Sequence, residues 1–323
     1  MKILVKILKW FLITIGIVVV VLTVVVSMRQ NLKFDAPYPE IKISKDSVVI
    51  ARGKYLVYGP AHCAVCHTTN AQMEAVDKGE ILPLAGGHVF KIPIGELYSK
   101  NITPDMETGI GKLTDQEIAR TLRYGVGSDG RALIDLMPFH NMAEDDLTAV
   151  ISFLRVSEPV KNVVPENKYN LLGKIVKAFM IIPAPMEGEI PKHVEPGPTV
   201  EYGKYLVWNV ANCRGCHTNR DLKTGKYIGK DFAGGLKLAD ETKDKSFFVS
   251  PNLTADDKTG ALSHWTEEQF IKRFRQGRIL PGSPMPWGPF SRMTEDDLKA
   301  IYAYVKTIPA INNDTGPRII VEN

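Results

Sequence analysis

Cysteine is scarce in this chain: 323 residues hold only four, and all four fall in two Cys-x-x-Cys pairs. That is too few and too clustered for the disulfide framework of a small secreted domain, so other chemistry uses them. Charge of one sign is lacking as well. Forty Lys/Arg against 36 Asp/Glu leave a net of +4, and with no basic stripe carrying interleaved aromatics the sequence argues against a nucleic-acid partner. Strand signals are weak, because the segments between apolar runs are full of Gly, Pro and Asn. A disorder signature is absent too, since 44% of the residues are hydrophobic. The length accommodates about two compact domains.

One long apolar run is present. Lys2, Lys6 and Lys9 precede an apolar stretch from Trp10 to Val26, which Ser27, Met28 and Arg29 close. At ~1.5 Å per residue this nearly crosses a hydrocarbon core of ~30 Å. A buried core helix would need a polar face, whereas only Thr14 and Thr23 interrupt this one. The stretch Val24-Val25-Val26-Ser27-Met28 offers no small-x-small cleavage site. Residues 1–30 therefore read as an uncleaved transmembrane signal anchor, followed by a connector over residues 31–47. The lysines on its near side place the N-terminus in the cytoplasm and everything after Arg29 outside.

The rest of the chain is a repeat. Gly53-Lys54-Tyr55-Leu56-Val57 recurs as Gly203-Lys204-Tyr205-Leu206-Val207, an offset of 150 residues shared by both Cys-x-x-Cys-His motifs and by Thr68 and Thr218. Ala85-Gly86-Gly87 answers Ala233-Gly234-Gly235, Asn101-Ile102-Thr103 answers Asn252-Leu253-Thr254, and Glu144-Asp145-Asp146-Leu147 answers Glu295-Asp296-Asp297-Leu298. The units span residues 48–158 and 198–311, with a Pro-rich linker over 159–197 and a polar tail over 312–323. Within the linker, Leu171 to Ile182 reads as one helical fragment whose apolar residues could rest on a domain or on the membrane surface, with packing on the protein the favoured reading. Each unit predicts a helix around Tyr55 or Tyr205, a middle helix behind a capping box (Thr114 with Glu117, Thr266 with Gln269), and a closing helix with i, i+3, i+4, i+7 apolar spacing. The expected fold class is all-α, with long loops around something that supplies core volume. The first unit holds 10 Lys/Arg against 14 Asp/Glu and the second 17 against 13, so the two present opposite net charge to their partners.

Cys63-Ala64-Val65-Cys66-His67 and Cys213-Arg214-Gly215-Cys216-His217 read as covalent haem attachment. Both thiols add to the porphyrin vinyl groups, and the histidine that follows lies under the iron as proximal ligand. A zinc ribbon would bring its cysteine pairs much closer together, and a thioredoxin-like dithiol would need a βαβ setting. An electron-transfer haem needs a sixth ligand. Met137-Pro138 and Met285-Pro286, each between a middle and a closing helix, supply the candidates Met137 and Met285. His140 is the rival at the first site, where the second copy has three extra residues between its Met-Pro and the matching Phe290. Met142 and Met293 stand at staple positions before the closing helices and read as structural.

The segments Asn101-Ile102-Thr103-Pro104-Asp105 and Thr108-Gly109-Ile110-Gly111, with the Met-Pro, Glu-Asp-Asp-Leu and Ala-Tyr-Val tail, resemble the cytochrome c subunits of membrane-bound alcohol and gluconate dehydrogenases. The likeness covers about Val48 to Ile311. It implies two tandem class I cytochrome c domains behind the transmembrane helix and two covalently attached haem c groups. Cys63, Cys66, His67 and Met137 would hold the first haem, and Cys213, Cys216, His217 and Met285 the second. It further implies an electron carrier without substrate chemistry, taking electrons from a dehydrogenase and passing them to a respiratory acceptor outside the cytoplasmic membrane. The sequence departs from the alcohol dehydrogenase subunits, which the resemblance gives a third Cys-x-x-Cys-His and a cleaved signal, by having two such motifs and by an N-terminal helix that reads as uncleaved. A di-haem peroxidase is the alternative, and it would need an open sixth position on one haem. The charge difference and the unequal methionine loops predict two unequal haems.

Overall fold

The computed structural model describes residues 2–184, 188–221, 226–240 and 242–322. Helix α1 (Lys2–Arg29) is long and apolar enough to cross a membrane, and none of its residues is buried. In the first unit α2 (Ser47–Tyr58) leads to the five-residue α3 (Cys63–His67), then α4 (Met73–Asp77), α5 (Asp115–Tyr124) and α6 (Glu144–Val156). A short α7 (Leu171–Phe179) follows. The second unit repeats the plan with α8 (Val200–Tyr205) continued by a wider π-helical turn, α9 (Cys213–His217), α10 (Glu267–Arg275), α11 (Trp287–Ser291) and α12 (Glu295–Val305).

Local chemistry accounts for these helices. Thr114 accepts from the Glu117 N–H while Glu117 caps back, and Thr266 and Gln269 do the same, so both capping boxes form. In each unit the first helix crosses the last at a glycine. A Cβ on Gly53 would lie 1.9 Å from the Ala149 carbonyl oxygen, and one on Gly203 1.9 Å from that of Ala300. The glycine of the recurring Gly-Lys-Tyr-Leu-Val stretch is thus a backbone contact point between helices.

The all-α expectation is corrected by two three-stranded antiparallel sheets, one per unit. β1 (Val89–Ile92) and β2 (Gly95–Tyr98) form a hairpin in which Val89 faces Tyr98, and β3 (Lys168–Tyr169) joins β2. In the second unit β4 (Lys237–Ala239) pairs with β5 (Ser246–Val249), and β6 (Ile319–Val321) joins β5. The third strand of each sheet comes from the expected linker or tail. Strands of two to four residues carry too little alternation to read locally, and pairing across some 70 residues leaves no local trace.

The units meet through a two-fold exchange. The Tyr205 hydroxyl donates to Asp146 at 2.8 Å and accepts from the Ala143 N–H at 3.1 Å. Tyr55 in turn donates to Asp297 and accepts from the Thr294 N–H at 2.9 Å. Each unit's first helix therefore caps the closing helix of the other, and burial pushes both phenols well above the usual tyrosine range. Arg52 forks onto Asp146 at 2.8 and 2.9 Å and donates to Tyr202 at 3.0 Å, while Arg278 forks onto Asp77 at 2.6 and 3.0 Å.

Candidate haem sites

Both attachment motifs begin on a residue in the left-handed region, His62 at φ 42° and Asn212 at φ 52°. This turn starts α3 and α9, and the i, i+3, i+4 spacing then carries Cys63, Cys66 and His67, or Cys213, Cys216 and His217, on one side of a short helix. His67 and His217 are half-buried. His67 Nδ1 lies 2.8 Å from the Lys100 carbonyl oxygen, and His217 Nδ1 lies 3.1 Å from that of Pro251. A carbonyl only accepts, so Nδ1 carries the proton and Nε2 keeps its lone pair for a metal. Burial lowers both imidazoles below the usual histidine range, which favours this neutral form.

The sheets position those carbonyls. In the first unit the ladder continues past β1 and β2 through Gly87 N–H to Ser99 O at 2.9 Å and Ser99 N–H to His88 O at 3.0 Å, ending at Lys100. In the second, Gly235 N–H to Ser250 O at 2.8 Å and Ser250 N–H to Leu236 O at 2.9 Å end at Pro251. Gly86 and Gly234, at φ 75° and 73°, each donate an N–H at 2.8 Å to the carbonyl of the motif histidine. The recurring Ala-Gly-Gly is therefore the back of the histidine clamp. Beyond it, Asn101 Oδ1 accepts from the Thr103 N–H and hydroxyl at 3.0 and 2.7 Å, and Asn252 does so from Thr254 at 2.9 and 2.7 Å. Their amides reach Val160 O and Ile311 O, both at 2.8 Å, fastening the loop to the chain that leaves the closing helix.

Cys216 is exposed and the other three cysteines are half-buried. Burial pushes Cys63 and Cys213 up to about 12 and raises Cys216. A dithiol oxidoreductase needs the opposite, a thiolate favoured near neutral pH. Among the described residues no group of three or more His, Cys, Asp or Glu side chains is gathered to hold a metal ion. Two neighbouring thiols followed by an imidazole with a free Nε2 are the donor set that covalent haem requires, and the set occurs twice.

Met137 and Met285 are half-buried against the core, each in the unit of its matching motif. Their loops are strapped to the middle helices by arginines that sequence reasoning missed. Arg123 donates to the carbonyls of His140, at 2.8 Å, and Met142. Arg275 donates to those of Ser291 and Met293 at 2.5 and 2.7 Å. The signal was available, since these two arginines sit near the ends of matching capped helices. Met142 and Met293 are each only 1% exposed and belong to the core. His140 is engaged at both nitrogens, Nδ1 to Arg123 O at 2.8 Å and Nε2 to Asp135 at 2.9 Å. Desolvation opposes its charge, but Asp135 prevails and raises its pKa. The loops differ downstream: Met285 runs directly into α11, whereas Met137 enters a turn.

The family model for cytochrome c matches residues 200–309. The chain carries a cytochrome c domain. That domain contains the second Cys-x-x-Cys-His motif, the Pro251 clamp and the Met285 loop. Across most of its length the chain is also similar to curated cytochrome subunits. It is 31% identical over 281 residues to the cytochrome c subunit of a quinone-type alcohol dehydrogenase from Gluconobacter oxydans, covering 82% of this chain and 56% of that one. It is 27% identical over 275 residues to the fructose dehydrogenase cytochrome subunit of Gluconobacter japonicus, covering 81% and 53%. A di-haem cytochrome c-type protein of Cereibacter sphaeroides is 25% identical over 277 residues, covering 79% of this chain and 84% of that one. The chain spans about half the length of the dehydrogenase subunits it matches, 56% and 53%.

Proposed function

We propose that the chain is the electron-transfer subunit of a dehydrogenase complex, carrying two covalently attached haem c groups in two tandem cytochrome c domains over residues 48–158 and 198–311. Helix α1 tethers it to the cytoplasmic membrane with both domains on the outer side. The observation that carries the reading is the duplicated histidine clamp, in which His67 and His217 each donate Nδ1–H to a carbonyl held at the end of a hairpin. Haem c, once attached, supplies a one-electron iron couple. Cys63, Cys66, Cys213 and Cys216 would provide the thioether bonds, and His67, His217, Met137 and Met285 would hold the iron. The chain's own contribution is to fix the imidazole tautomer, strap the methionine loops and lock the two domains together through Tyr55 and Tyr205. No substrate chemistry is assigned to it. Electrons would come from a dehydrogenase, in keeping with the names of the relatives, and go on to a respiratory acceptor. Those relatives give no support to a di-haem peroxidase.

Intact mass and the pyridine haemochrome spectrum test the haem number. Two haems per chain are expected. A single haem, or a high-spin ferric haem that turns over peroxide, would overturn the proposal.

A further inference from the structure

Among the described residues helix α7 leaves most of one apolar face exposed. Gly173 and Ala178 are buried, whereas Leu171, Leu172, Ile175 and Phe179 are 74, 52, 41 and 48% exposed. Their i, i+1, i+4, i+8 spacing places them on one stripe. A contiguous exposed apolar stripe marks a surface that meets something apolar.

Its neighbour identifies what that is. Helix α7 packs beside α1. Arg29 Nε donates to the Ala178 carbonyl at 3.2 Å, and the Arg29 guanidinium sits over the Phe179 ring at 5.1 Å. Val25 and Val26 are half-buried in a helix otherwise open along its apolar run. Arg29 closes that run, so it marks the level at which α1 leaves the hydrocarbon, and α7 is fixed at the same level. Exposed Lys174 flanks the stripe, as suits phosphate headgroups, while Lys177 turns back over the Tyr169 ring at 5.3 Å.

We infer that α7 lies in the outer surface of the lipid bilayer, with Leu171, Leu172, Ile175 and Phe179 among the acyl chains, forming a second membrane contact that orients the first unit. The inference rests on α1 being a membrane anchor. It is tested on the full haem-loaded chain in nanodiscs of phosphatidylethanolamine and phosphatidylglycerol. The photo-crosslinker p-benzoylphenylalanine replaces Val18, Ile175 or Lys177 one at a time, and lipid adducts are read by mass spectrometry. Adducts at Val18 and Ile175 but not at Lys177 are expected. Adducts at Val18 with none at Ile175, or equal yields at Ile175 and Lys177, overturn the inference while the anchor stands. None at Val18 removes the anchor and the inference with it. Leu172→p-benzoylphenylalanine repeats the measurement at a second point of the stripe.

Discussion

Alanine at Gly86 and at Gly87 should separate backbone strain from control of the proximal histidine. Both glycines have positive φ, 75° and 94°, so an L side chain at either costs ~1–2 kcal/mol of conformational strain. Their surroundings differ. A Cβ on Gly86 would meet the Lys100 carbonyl carbon at 2.5 Å and its oxygen at 2.6 Å, whereas one on Gly87 meets the Thr69 methyl at 3.4 Å and Asn162 Nδ2 at 3.7 Å, both ends of side chains. Gly86→Ala must therefore push away the carbonyl that lies 2.8 Å from His67 Nδ1. That hydrogen bond, worth about 1 kcal/mol, makes the imidazole a stronger donor and so favours the ferric state of a bound haem. For a one-electron couple this corresponds to roughly 40 mV. Optical redox titration should show the first midpoint rising by up to that amount in Gly86→Ala, with the second haem unchanged. Gly87→Ala should lose only the ~1–2 kcal/mol of strain in urea, less than Gly86→Ala, and keep its potentials. Equal shifts in the two variants, or a lowered midpoint in Gly86→Ala, would refute the clamp.

Met137→Ala and Met285→Ala should each remove the weak red-edge absorption band of methionine-ligated ferric haem from one haem, and His140→Ala should leave it; loss in His140→Ala would reassign the first site. Tyr205→Phe strands the Ala143 N–H and removes a donor from Asp146, so urea unfolding should show a loss of about 2–4 kcal/mol, and a change below about 0.5 kcal/mol would contradict the exchange between units. His193, hydrogen-bonded by Glu195 and by Asp145 of the first unit, is held above the usual 6.5. Its contribution is then fully present below 6.5 and lost as pH rises through the raised value. The difference in thermal midpoint between wild type and His193→Gln should accordingly vanish on the alkaline side of that window, and a difference that grows there would reverse the assignment.

The helices and attachment motifs were legible because their signals are local. Thr114, Glu117, Thr266 and Gln269 sit three residues apart within one turn, and the cysteines and histidines within five residues. The sheets were not, because β2 finds β3, and β5 finds β6, across loops that leave no periodicity behind. The repeated Ala-Gly-Gly and Asn-x-Thr were visible as matches, but their role depends on a carbonyl, and a backbone group has no letter in the sequence. The arginine straps were missed for the same reason: Arg123 and Arg275 bind carbonyls, so their partners leave no mark in the residue pattern.

The exchange between the units also carries the asymmetry that the charge counts raised. Arg52 and Tyr202 occupy the same place in the repeat, 150 residues apart. Asp146 accordingly receives a guanidinium as well as the Tyr205 hydroxyl, whereas the Asp297 carboxylate receives the Tyr55 hydroxyl, and its backbone N–H donates to the Thr294 hydroxyl at 3.1 Å. Burial raises the Asp297 carboxyl above the usual aspartate range. One unit thus starts its closing helix with an Arg–Asp ion pair and the other with a carboxyl whose ionisation burial opposes. Two sites built to the same plan therefore sit in different fields, and their midpoint potentials should separate; indistinguishable midpoints would show that solvent screening erases the difference.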